Sequence, residues 1–78
     1  MSVSEMAKAV YESDLRSEME RGHWGMFIAI EPESRRYFLG ETFIEVALMA
    51  KNQIPDKMSF VIKVGERAAV HIGGASSQ

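Results

Sequence analysis

Along the first helical stretch of the chain the apolar positions fall four apart, at Ala7, Tyr11, Leu15 and Met19, with Val3, Met6 and Val10 broadening the stripe. Lys8, Glu12, Arg16 and Glu20 hold the other side, which predicts an amphipathic helix over residues 3–21. Glu12 precedes Arg16 by one turn, the favourable order for a surface ion pair. Ser2 or Ser4 caps the start, Glu5 completes a capping box with Ser2, and Gly22 after Arg21 stops the helix.

The pattern then changes. Met26 to Ile30 is almost continuously apolar, the mark of a strand covered on both faces or central in its sheet. Glu31-Pro32-Glu33-Ser34 reads as a turn, because Pro32 presets φ and cannot donate to a ladder. A short second strand runs from Arg36 to Leu39 and is broken by Gly40. Thr42 caps a second helix, with Glu45 as the reciprocating partner, and this helix ends near Asn52, before Pro55 pushes Ile54 out of the helical region. Phe43, Val46, Ala47 and Ala50 form one face of it; Ile44, Leu48 and Met49 are left on its flanks and back. A helix this apolar all round needs cover on more than one side.

Met58 to Val64 alternates as a third strand, with Met58, Phe60, Ile62 and Val64 on a face expected to pack on the second helix, and Ser59, Val61 and Lys63 on a half-wet face. Gly65-Glu66 has the form of a two-residue type II′ loop leading into a fourth strand over Arg67–Ile72. The fold class is therefore α+β: an N-terminal helix followed by ββαβ(β), with a three- to four-stranded antiparallel sheet in the order 2-1-3(-4). A single domain spans residues 1–74, with a small polar tail over 75–78. Strand one is central, and the strands at the edges are open to pairing.

Composition narrows the function. A chain of 78 residues buries only about 60–65% of its unfolded surface, so its core is marginal without help from disulfides, metal or association. Cysteine is absent, and the two histidines, His23 and His71, lack ligand spacing, which leaves oligomerisation as the stabiliser. No apolar run approaches the length of a membrane span, and no basic region followed by an apolar core marks the N-terminus as a secretory signal, so a cytoplasmic location is expected. The net charge is −2, with three basic and seven acidic residues over 1–34 and six basic and four acidic over 35–78. That mild dipole suits contact between protein chains and lacks the clustered cations of a nucleic-acid footprint.

Candidate chemistry is sparse. The chain has no serine elbow, phosphate loop or His-Glu-x-x-His helix. Gly22-His23-Trp24-Gly25 offers a binding corner, against the plainer reading in which Trp24 plugs the core and His23 faces water. His71 on the fourth strand, with Glu31, extends that corner to a ligand or metal site of His23, Trp24, Glu31 and His71. Glu31 and Glu33 share one turn, where carboxylates are usually just solvated. Tyr37-Phe38 beside Arg35-Arg36 has the form of a strand that stacks nucleic-acid bases, but no basic groove accompanies it. Of the six methionines, Met49 is placed as an adaptable contact residue.

Phe27-Ile28-Ala29-Ile30-Glu31-Pro32-Glu33-Ser34, Tyr37-Phe38-Leu39-Gly40-x-Thr42, Phe60-Val61-Ile62-Lys63-Val64-Gly65 and His71-Ile72-Gly73-Gly74 together resemble a family of small uncharacterised bacterial proteins with a ββαβ core. The resemblance implies the same fold and an antitoxin-like partner protein; it supplies no catalytic residues. The expectation is thus a non-enzymatic, protein-binding, homo-oligomeric domain without cofactor, metal, nucleic acid or membrane. Its partners are itself and a second protein, and its contacts are Ile44, Leu48, Met49, Tyr37, Val70 and Ile72. The alternative is a small enzyme or ligand-binding protein using His23, Glu31 and His71.

Overall fold

The computed structural model of the chain describes residues 2–65, so the fourth strand expected over Arg67–Ile72, with Val70, His71 and Ile72, the Gly65-Glu66 loop as a whole and the tail lie outside the described residues. An N-terminal helix is built of α1 (Val3–Val10), a π-helical turn π1 (Tyr11–Leu15) and α2 (Arg16–Gly22). The strands β1 (Phe27–Glu31) and β2 (Arg36–Gly40), the helix α3 (Phe43–Gln53) and the strand β3 (Phe60–Lys63) follow. The sheet runs β2-β1-β3, antiparallel at both contacts, with β1 central.

The π turn has a cause in the sequence. Each four-residue step along an α-helix overshoots a full turn by about 40°, so a strict repeat of four would wind off the core within three steps. Ala7, Tyr11, Leu15 and Met19 are nonetheless all buried. The wider turn at Tyr11–Leu15 takes up one extra residue and brings the later half of the stripe back over the sheet. The Ser2–Glu5 capping box forms as expected, and Arg16 pairs with both Glu12 and Glu20.

Two helices cover the two faces of the sheet. Ile28 and Ile30 of β1 join Phe60, Ile62 and Val64 beneath the N-terminal helix, packed on Ala7, Val10, Tyr11, Leu15 and Met19. On the opposite face Ala29 and Val61 meet Val46 and Ala50 of α3, with Phe27, Phe38 and Phe43 around them. This corrects the expected packing of the third strand: Phe60 and Ile62 lie under the N-terminal helix, and the face with Val61 receives α3. The alternation holds, but the faces are exchanged between the helices: Val61, the one apolar residue of the half-polar row, is the one that α3 covers. Met58 stands before β3, 71% exposed.

Three local expectations also need correction. Gly22 remains helical and His23 is the C-cap; the chain reverses at Gly25, whose φ is +87°. Gly40 does not break β2 but ends it as a buried, paired residue opposite Phe27. A β-carbon there would stand 2.9 Å from Val46 Cγ1, so glycine is what lets α3 approach the sheet. The cap of α3 is half of a capping box: Thr42 Oγ1 accepts from the Glu45 N–H, while the Glu45 carboxylate accepts from the N–H of Glu41 instead of Thr42.

Candidate interaction surface

Because α3 turns Val46 and Ala50 to the sheet, the positions rotated away from them are left in water. Ile44 is 66% and Leu48 54% exposed. They are one helical turn apart, and each neighbours a residue three positions on, Ala47 and Lys51 respectively. Ala47 and Lys51 line a groove of about 340 Å³ between α3 and β3, floored by Ala29, Ala50 and Val61. The groove exists because alanines stand where larger side chains would fill the space between helix and strand. Met58 rims it from the far side. Met49 is half-buried on the opposite flank of α3, so it does not extend this surface.

Tyr37, another expected contact, lies on β2 opposite Ile30 and is 40% exposed at the sheet edge. Val70 and Ile72 are outside the described residues.

The described residues of the alternative ligand site are not brought together. His23 and Trp24 precede β1, whereas Glu31 ends it, and the strand alone spans about 13 Å at some 3.3 Å per residue. His71 lies outside the described residues. Trp24 does not plug the core; it is 67% exposed, with its indole against Gly65. Glu31 is buried, and its carboxylate accepts from the N–H groups of Glu33 at 2.9 Å and Ser34 at 2.8 Å. Burial alone pushes its pKa up; the Ser34 hydroxyl, these N–H groups and the charge of Lys57 outweigh that and hold it below the usual value. Such an acid is committed to shaping the β1–β2 turn. Among the described residues no three His, Asp or Glu side chains gather where they would hold a metal ion.

Met58 is the contact candidate that the sequence pattern hid. Its alternation with Phe60 made it look like strand; the signal against that was the turn-forming Pro55-Asp56-Lys57 immediately before it. No helix of the described residues is long and apolar enough to cross a membrane. Comparison with known families, curated proteins and solved structures gave no match.

Proposed function

We propose that this chain is a non-enzymatic protein-binding domain that self-associates and serves as an antitoxin-like partner of a second protein. The observation that carries this reading is the pair Ile44 and Leu48, standing in water beside an apolar groove. Complete burial of such side chains contributes about 1.5–3 kcal/mol each, a large fraction of the stability of so small a domain. Exposed apolar side chains that adjoin one another and a groove favour a contact with another chain over a solvated surface.

Sedimentation of the native chain from micromolar concentration upward tests the reading, with a mass above that of the 8.8 kDa monomer expected. Leu48→Glu is expected to lower that mass, and His23→Ala to leave it unchanged. A native chain that stays monomeric throughout overturns self-association. The antitoxin aspect requires a neighbouring gene whose product is toxic alone; co-expression without rescue removes it.

A further inference from the structure

Among the described residues the outer edge of β2 is an unblocked strand edge, and its sequence complements itself. The Val64 N–H donates to the Met26 carbonyl, so Met26, Ile28 and Ile30 direct their backbone groups toward β3 and Phe27, Ala29 and Glu31 direct theirs toward β2. The β2 partners of the latter three are Gly40, Phe38 and Arg36. Tyr37 and Leu39 therefore turn their N–H and C=O groups outward, where β2 has no neighbouring strand among the described residues. Nothing between Arg36 and Gly40 blunts that edge: there is no proline, lysine or bulge, and Tyr37 is 40% exposed beside it.

Charges mark the two ends. Arg36 is exposed, lies over the Phe38 ring at 5.6 Å and forms no ion pair with a described residue. At the other end Glu45 places its carboxylate over Gly40, with Oε1 2.8 Å from where a β-carbon of residue 40 would be. Among the described residues that carboxylate likewise has no cationic partner, and its Oε1 accepts the N–H of Glu41.

We propose that two copies of this chain pair antiparallel through β2, about a twofold axis at Phe38, to join the three described strands of each copy in one continuous sheet. In this register Tyr37 of each copy exchanges both backbone hydrogen bonds with Leu39 of the other, and the two Phe38 residues face each other. Arg36 of each copy stands opposite Gly40 of the other. The missing side chain at Gly40 lets α3 bring the Glu45 carboxylate down over that residue, and the carboxylate receives the guanidinium of the opposing Arg36, twice by symmetry. Shifting the register by two residues in either direction moves Arg36 off Gly40, to Phe38 or Thr42. A parallel pairing would place arginine beside arginine. The axis is perpendicular to the sheet, so both α3 helices stay on one side. Ile44 and Leu48, on the side of α3 turned away from the sheet, stay uncovered by this contact.

The inference rests on the self-association proposed above and assigns a second contact, separate from the one through Ile44 and Leu48. Because the chain has no cysteine, Phe38→Cys puts one thiol per copy at the axis. There, opposed residues of a non-hydrogen-bonded pair have Cα atoms about 4.5 Å apart, within disulfide reach. Mild oxidation is expected to convert the purified variant into covalent dimer, equally in the Leu48→Glu background. It is expected not to do so when Tyr37→Pro removes the outward N–H. Arg36→Glu, an exposed change that does not depend on the thiol variant folding, is expected to weaken the association of the otherwise native chain at least tenfold in sedimentation. A native chain that is oligomeric yet gives no crosslink at position 38, and whose mass is indifferent to Tyr37→Pro and Arg36→Glu, overturns the β2 contact and leaves self-association standing. A native chain that is monomeric at every concentration overturns both.

Discussion

The indole of Trp24 lies across Gly65 so closely that a β-carbon on residue 65 would stand 2.6 Å from its Cε2 atom. Gly65 is held at a φ of +92°, which L side chains rarely adopt, so two separate constraints require glycine here. The contact joins the turn before β1 to the end of β3, where the Gly25 N–H donates to the Val64 carbonyl at 3.0 Å. Gly65→Ala is expected to displace the indole and destabilise the domain by about 1–2 kcal/mol. Trp24 is the one tryptophan of the chain, so its emission reads the change directly. An unchanged spectrum and melting temperature would show that the ring does not rest there.

The π turn makes a prediction that runs against intuition. Deleting one exposed residue from it, Ser13, converts the stripe Ala7, Tyr11, Leu15, Met19 into steps of four, three and four, the natural spacing of an α-helix. The variant is expected to keep its core, lose the π turn and melt within a few degrees of the native chain. Deleting Ser17, equally exposed but in regular helix, rotates Met19 by about 100° out of the core and is expected to destabilise by 2 kcal/mol or more, as roughly one buried large side chain is lost. Thermal denaturation of the two deletions side by side checks this. Equal losses from both would mean that the extra residue does not reset the stripe.

Much of the fold was legible in the sequence because local signals and burial agreed. The central position of β1 followed from its unbroken apolar run, and it has neighbours on both sides and a helix on each face. The order β2-β1-β3 followed from one hairpin and one helical crossover. What local pattern does not contain is which helix takes which face. Both rows of β3 carry apolar side chains, and the smaller row, with Val61, meets α3 because α3 presents Ala50 and Val46. Trp24 misled for a related reason: a tryptophan is usually core, yet Gly65 supplies a flat backbone shelf on which an indole rests while mostly in water. For the candidate surface, Ile44 and Leu48 were legible as surplus apolar positions on α3. Met58 was not, since the turn before it ends the regular strand alternation.

Tyr11 carries an unbalanced polar group. It is 5% exposed, and its hydroxyl has no hydrogen-bond partner among the described residues. Burial raises its pKa, and Glu20 adds to that against the opposing influence of Arg16. Removing a buried hydroxyl that bonds to nothing relieves a desolvation cost. Tyr11→Phe is therefore expected to be neutral or to stabilise by up to about 1 kcal/mol in urea denaturation. A loss of stability would reveal a partner for the hydroxyl in the intact chain.

Glu31 ties the fold to pH. Its carboxylate is held ionised below the usual range by the donors of Ser34 and Glu33, so the folded state keeps this charge where the unfolded chain takes up a proton. The sign follows: the stabilisation is complete above the ordinary value of about 4.5 and drains away as pH falls through it toward the lower folded value. Glu31→Gln removes the charge and sets an amide NH₂ against one of two N–H donors, leaving a buried donor unsatisfied. The expected cost at neutral pH is about 1.5–3 kcal/mol, the range for hydrogen bonds to a charged group. Urea denaturation at pH 7 and pH 3 should show the gap between native and variant chains narrowing at the lower pH. Glu33→Gln, whose exposed carboxylate pairs with Lys57 at the surface, should change little at either. A gap for Glu31→Gln that stays constant between the two pH values would mean that packing, and not the charge-assisted turn, is what the carboxylate contributes.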